Sequence, residues 1–302
     1  MPNSKTIQLH SGARMPAIGL GTWNAQPGEM DFIVREAWNL GYRHIDCAHL
    51  YENEKKIGNA LRQANVPRDQ LWLTSKLWNT DHRPDDVGPA CQTTLDHLGC
   101  DYLDLYLMHW PLAFVHGEGL KPFGPDGHMK MDTGVTILET WRAMEKLVDA
   151  GLVRNIGVSN FTITQLTDLL QNARIKPAVN QIECNPYIPQ HHLVDFCHQH
   201  SIAVTAYRPL GGRSRDDRPP QPLVREDPIV NQVAQRINKS PAQVILAWLL
   251  KRNISVIPKS SNPARLAENL VDFELSDEDA SEISKINVLL VRPFLDTASD
   301  GR

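Results

Sequence analysis

One periodicity limits what this chain can fold into more than any other feature. Short β-rich runs at residues 17–21, 43–46, 71–77, 102–109, 153–159, 177–183, 202–207 and 254–259 alternate with stretches whose apolar residues recur at helical spacing. Eight β/α units in a row, joined by right-handed crossovers, either close into a (β/α)8 barrel or lie open as a doubly wound sheet. The helices carry clear start and stop signals. Val87, Ala90, Cys91, Thr94, Leu95 and Leu98 repeat at helical spacing, and Gly99 follows as a C-terminal stop. Thr162 with Gln165 and Ser240 with Gln243 form capping boxes, the second with Pro241 at the first helical position, where a missing N–H costs nothing. Asn262-Pro263 and the acidic run after Ser276 open two more helices. Ahead of the repeat, residues 7–16 read as a β-hairpin around Ser11-Gly12.

The position of the reactive residues decides between barrel and open sheet. The strand ends, or the residues just past them, read Trp23, Asp46, Lys76, His109, Ser159 with Asn160, Gln181 with Glu183, Tyr207 and Lys259. An open sheet concentrates its site at one switch point, whereas a barrel gathers eight strand ends around one mouth. No Gly-x-Gly-x-x-Gly turn opens a helix after a strand, so a Rossmann reading lacks its main support. The sequence therefore predicts a TIM barrel spanning 1–302 as one domain. Two long loops rise from the same face, 110–134 with five glycines and three prolines and 208–228 rich in Arg, Asp and Pro. Loops of this length that follow strands at a mouth read as lids.

Composition excludes several partners. A net charge of −4 gives no basic footprint for nucleic acid or an anionic membrane, and no stretch approaches the roughly 18 apolar residues of a spanning helix. The first residues lack the apolar core of a signal peptide. Five cysteines, at 47, 91, 100, 184 and 197, are odd in number and without Cys-x-x-Cys spacing. They fit a reducing, cytoplasmic compartment as ordinary thiols. The expected partner is a small molecule, and the expected state a monomer.

Three long patterns carry a resemblance. Residues 41–58, GYRHIDCAHLYENEKKIG, look like the first signature of the aldo-keto reductases; residues 154–161, RNIGVSNF, resemble the second; residues 257–269, IPKSSNPARLAEN, match the third. Residues 107–111, LMHWP, and 180–187, NQIECNPY, share the family's look, and within it the chain is most similar to the NADPH-dependent aldehyde reductase branch. The resemblance implies reduction of an aldehyde or ketone by hydride from NADPH. It makes Tyr51 the general acid, Lys76 the cation that assists its phenol, Asp46 the partner that holds Lys76, and His109 the group that orients the carbonyl oxygen. A free phenol titrates near ~10, so a neighbouring cation is the natural means of lowering it.

The same resemblance assigns the cofactor to Gly21, Thr22, Trp23, Asp46, Ser159, Asn160, Gln181, Tyr207, Pro209, Leu210, Lys259, Ser260, Asn262, Arg265, Glu268 and Asn269. Of these, Ser159, Asn160 and Gln181 would bond the carboxamide, Tyr207 would stack on the nicotinamide, and Lys259, Ser260 and Arg265 would hold the 2′-phosphate that distinguishes NADPH from NADH. Trp23, Leu50, Tyr51, Trp78, His109 and Trp110 would line the substrate pocket.

Tyr51 and Lys55 also have the spacing of a short-chain dehydrogenase pair. That family needs a glycine-rich turn near the N-terminus, which Gly19-Leu20-Gly21 does not provide, so Lys55 reads as solvated helix surface opposite Ile57, Ala60, Leu61 and Ala64. Histidines 191, 192, 198 and 200 match no zinc spacing, and no metal ligand set is expected. Two departures from the family stand out: Arg208 follows the stacking tyrosine where serine is usual, and the tail after Asn287 is short, leaving Pro293, Phe294 and Leu295 to reach the pocket. The competing reading is a nucleotide-binding barrel with a regulatory or structural role. A binding protein has no need of Asp46, Tyr51, Lys76 and His109 together.

Overall fold

The structure, a computed structural model, describes residues 5–25, 28–212 and 223–286. Eight parallel strands run in chain order around one sheet: β3 (Leu20–Gly21), β4 (His44–Asp46), β5 (Trp72–Leu77), β6 (Leu105–Met108), β7 (Ile156–Ser159), β8 (Val179–Glu183), β9 (Ala203–Tyr207) and β10 (Ile254–Val256). The ends of the sheet meet. Ile18 bridges Val256 in parallel, Gly19 N–H donates to Val256 O at 2.8 Å, and Gly21 N–H donates to Pro258 O at 3.1 Å. At Gly21 a Cβ would lie 2.6 Å from Ile257 O, so this closure needs glycine there. The eight expected strands form the expected barrel.

The antiparallel pair β1 (Thr6–Gln8) and β2 (Arg14–Pro16) turns at Gly12, whose φ of 87° lies in the left-handed region. It caps the N-terminal end of the barrel: Ile7, Leu9, Met15 and Ala17 form one apolar cluster with Trp72, Leu105, Leu107, Ala178, Val179 and Ala203. Trp72, Leu105, Leu107, Val179 and Ala203 point inward, and residues of the opposite parity, Leu73, Tyr106, Ile182 and Val204, join the outer core beneath the helices. This period-two alternation places the site. Continuing inward along β5, β8 and β9 leads from apolar positions at the floor to Lys76, Gln181 and Tyr207 at the mouth, and on β4 from His44 to Asp46.

The outer layer contains α1 (Met30–Leu40), α2 (Glu54–Gln63), α3 (Pro84–Leu98), α4 (Ile137–Asp149), α5 (Ile163–Asn172), α6 (His191–Gln199), α7 (Pro228–Arg236), α8 (Pro241–Lys251), α9 (Pro263–Glu268) and α10 (Asp277–Ser284). Both expected capping boxes form, and Gly99 ends α3 with φ 68°. Lys55 is exposed on α2 while Ile57 and Ala60 are buried.

The strands expected over 17–21, 153–159 and 254–259 shorten to Leu20–Gly21, Ile156–Ser159 and Ile254–Val256, and three other elements differ from expectation. A further helix, α7, follows the second loop, with Asp227 Oδ1 accepting from Ile229 N–H at 2.8 Å and Pro228 at the first position. The strand expected over 102–109 is shorter, with Leu103 reduced to an isolated bridge to Val153. The 110–134 loop is an ordered excursion rather than an irregular one, with antiparallel bridges Phe114 to Met131 and Phe123 to Met129. Residues 213–218 of the second loop and Pro293, Phe294 and Leu295 of the tail lie outside the described residues.

Candidate active site

Asp46 ends β4, and the chain then turns through a short 3-10 segment, His49–Tyr51, that brings Tyr51 back over the barrel mouth. Lys76, inward on β5, reaches both. Its Nζ donates to Asp46 Oδ1 at 2.5 Å, to the Cys47 carbonyl at 2.8 Å and to the Tyr51 hydroxyl at 3.3 Å. An ammonium has three donors, and these three acceptors use all of them. Lys76 is fully buried, an arrangement tolerated because Asp46 supplies the counter-charge. Burial acts to lower the ammonium's pKa, but Asp46 and Tyr51 outweigh it and hold Lys76 above its ordinary value.

The balance at Tyr51 runs the other way. Burial raises its phenol and Lys76 lowers it, and burial prevails, leaving Tyr51 above the ordinary tyrosine value. The expectation that Lys76 draws the phenol toward neutrality thus meets a larger opposing effect: the group is protonated at neutral pH and has an ammonium in place to stabilise the phenolate once the proton leaves.

His109, just past β6, stands with its ring 5.9 Å from Tyr51 and 5.1 Å from Trp78, edge to face with both. Burial first, then Lys76, drives its pKa well below the usual imidazole range, so it is neutral. Its buried Nδ1 has no hydrogen-bond partner among the described residues. Trp78 is fixed by its Nε1–H donating to Leu120 O at 2.7 Å and by Phe114, which ties the first long loop to the mouth. Trp23 stacks edge-on against Tyr51 at 4.9 Å and is 48% exposed. Leu50 and Trp110 are half-buried beside these rings in sequence.

A second polar set comes from β7 to β9. Ser159 Oγ donates to Gln181 O at 2.9 Å, Asn160 Nδ2 donates to His109 O at 3.0 Å, and Tyr207 OH donates to Asn160 Oδ1 at 2.8 Å. Asn160 adopts φ 64°, a left-handed conformation that asparagine tolerates better than most residues. Gln181 Nε2 donates to Asp46 Oδ2 at 2.7 Å, so the two sets are one network. Thr22 Oγ1, donating to Asp46 O at 2.7 Å, secures the β4 end from the other side.

The remaining expected residues cluster after β10. Lys259 and Arg265 are exposed and Ser260 is buried; Asn262 caps α9 by accepting from Arg265 N–H at 3.2 Å, Glu268 is half-buried and Asn269 is buried. Pro209 is buried and Leu210 packs against the outer core. Arg208, at φ 47°, turns its guanidinium toward Glu183, with Nε 3.7 Å from Oε1.

An inward lysine shared between a carboxylate and a phenol, at the C-terminal mouth of a closed eight-stranded barrel, defines the class as a (β/α)8 barrel of the enzyme type. The chain matches the Aldo/keto reductase family over residues 17–288. It is 48% identical over 290 residues to aldo-keto reductase family 1 member A1-A of Danio rerio, covering 93% of this chain and 89% of that protein. To member A1 of Homo sapiens it is 45% identical over 289 residues, covering 93% and 89%. The fold of aldose reductase from Schistosoma japonicum superposes with a TM-score of 0.91 at 42% identity, over 99% of this chain and 97% of that one. The chain belongs to the aldo/keto reductase family, whose members are oxidoreductases acting on carbonyl groups. Among the described residues no helix is long and apolar enough to cross a membrane.

Proposed function

We propose that this protein reduces aldehydes, and some ketones, to alcohols with NADPH, acting as a cytoplasmic monomer on small-molecule substrates. The observation that carries the reading is the Lys76 ammonium, buried and divided between Asp46, Cys47 O and the Tyr51 hydroxyl. A cation held this way has one use that packing alone does not require. It stabilises the phenolate left when Tyr51 gives its proton to a carbonyl oxygen. Asp46, assisted by Gln181, fixes the position of Lys76 and keeps it charged. His109, neutral and wedged between Tyr51 and Trp78, is suited to orient that oxygen by a hydrogen bond.

The residues present fit a nicotinamide dinucleotide phosphate. Asn160, Gln181 and Ser159 offer amide and hydroxyl groups to a carboxamide beside the Tyr207 ring, and exposed Lys259 and Arg265 offer two cations to a monophosphate. NADPH, when bound, supplies the hydride. Trp23, Leu50, Trp78 and Trp110 would bound an apolar pocket that selects aldehydes mainly by fit, which favours breadth over a single substrate.

Loss of NADPH absorbance with 4-nitrobenzaldehyde tests the reaction; tight NADPH binding by the wild type without turnover would sink it. Arg265→Ala should cut the preference for NADPH over NADH by about tenfold or more, the worth of one charge-assisted hydrogen bond. Unchanged discrimination would remove Arg265 from the phosphate site.

A further inference from the structure

A second cluster of reactive side chains lies on the far side of β5 from Lys76. Ser75, the outward neighbour of Lys76, donates its hydroxyl to Glu54 Oε1 at 2.5 Å, and Thr94 Oγ1 donates to Glu54 Oε2 at 3.3 Å. Glu54 opens α2 and is only 2% exposed. Two imidazoles flank its carboxylate. His49 Nδ1, from the turn that carries Tyr51, and His97 Nδ1, from the last turn of α3, each lie 3.8 Å from the same oxygen, Oε2. Their rings are stacked 6.3 Å apart and within 11° of parallel. The three ligand atoms lie within 4.8 Å of one another.

A hydrogen-bonded histidine–carboxylate pair does not account for these distances. Nitrogen and oxygen in such a bond stand about 2.7–3.2 Å apart. Ligands of one tetrahedral zinc ion, with metal–ligand bonds of about 2.0–2.2 Å, stand roughly 3.3–3.6 Å apart. A separation of 3.8 Å, repeated for two rings around one oxygen, is nearer the second geometry, and with all three ligand atoms within 4.8 Å of one another both rings must turn for their lone pairs to meet on one ion. The hydroxyls of Ser75 and Thr94 hold the buried carboxylate in place but bring no charge. The backbone beneath is set firmly: a Cβ at Gly58 of α2 would lie 2.4 Å from His97 O, so α2 and α3 pack in close contact at this level.

We infer that His49, Glu54 and His97 form a Zn2+ site, with three protein ligands and a fourth position open to water. The donor set of two imidazoles and one carboxylate suits zinc, and the side chains of His49 and His97 are 28% and 40% exposed, which leaves a path for the ion. The site stands apart from the catalytic reading of Tyr51 and is tested without turnover.

The test is calorimetric titration of the full, metal-free chain with Zn2+, and with Co2+ read by visible absorption, in wild type, His97→Gln and His49→Gln, with His191→Gln as a surface control. Circular dichroism checks that each variant folds. One ion per chain, a tetrahedral Co2+ spectrum without thiolate charge transfer, and affinity weakened at least about tenfold in both site variants but not in the control are expected. No stoichiometric binding by the wild type, a thiolate band, or affinity unchanged in His97→Gln and His49→Gln would each overturn the site.

Discussion

The barrel holds a buried carboxylate at each end, and the two are used differently. Asp104, at the floor just before β6, accepts from Arg68 at 2.7 Å and from Leu73 N–H at 2.9 Å, with Arg154 at 3.6 Å. Both arginines also lie over the Tyr102 ring, at 3.9 and 3.8 Å. These contacts link neighbouring strands to the loops beneath them. The Asp46 carboxylate, at the mouth, accepts from side chains that reach inward from β5 and β8, and its chief partner passes a further hydrogen bond to a phenol. The same residue type thus stitches the fold at one end and holds a lysine against a phenol at the other. What separates them is the destination of the last bond in the chain: backbone and solvent-edge arginines at the floor, the Tyr51 hydroxyl at the mouth.

The sharpest way to break this comparison is to remove that hydroxyl. Tyr51→Phe should lower kcat by about 10²–10⁴-fold, the usual worth of a general acid, while thermal unfolding hardly moves. A variant that keeps most of its turnover would place the proton donor elsewhere. Next is the cation. Lys76→Met leaves Asp46 buried without its counter-charge and should cost about 3–5 kcal/mol of stability as well as activity. Adding Asp46→Asn should restore much of the stability and none of the turnover. Chemical denaturation and steady-state kinetics on both variants would separate the two roles, and recovery of activity in the double variant would contradict the assignment. At the floor, Asp104→Asn should cost about 1–3 kcal/mol through the lost charge-assisted bonds and leave kcat within about twofold. A large fall in kcat with stability intact would mean that the floor carboxylate communicates with the chemistry.

The contrast between the two ends also explains what could be read in the sequence. The strand-end residues Asp46, Lys76, His109, Gln181 and Tyr207 were legible because side chains alternate with period two, so a strand's last inward position can be counted from its apolar ones. The bond from Gln181 to Asp46 was not, since it joins residues 135 apart and exists only once the sheet has closed on itself. His49, Glu54 and His97 escaped notice for a similar reason: the histidine of α3 comes from a helix whose packing on α2 no local spacing encodes. Helix α7 was overlooked although Asp227-Pro228 carries the same start signal as Ser240-Pro241, because a loop rich in Arg, Asp and Pro masked it. Thr136 and Glu139, which form a third capping box on α4, follow the same masking pattern after the 110–134 loop. Arg208 shows the limit of motif comparison, since the pairing of its guanidinium with Glu183 depends on a left-handed backbone that the substitution itself does not announce.

The smallest expected effect is an absence of change, and it tests the mouth most directly. Burial raises the Tyr51 pKa, Lys76 lowers it and Asp46 raises it further, with burial the largest influence. Reduction requires the protonated phenol, which is the form present below that pKa. For a phenol held above its ordinary value near ~10, kcat/KM for aldehyde reduction, which reports the free enzyme, should stay level from neutrality to about pH 9 and fall only at more alkaline pH. His109, neutral because burial and Lys76 hold its pKa well below the usual range, adds no break in that window. Lys76→Met removes the one influence that lowers the phenol, so its residual activity should show the alkaline fall moved further up. A wild-type profile that breaks near neutrality would show Lys76 outweighing burial. Asp46 would then hold a cation that tunes the phenol before substrate arrives, instead of one that stabilises the phenolate only after the proton has gone.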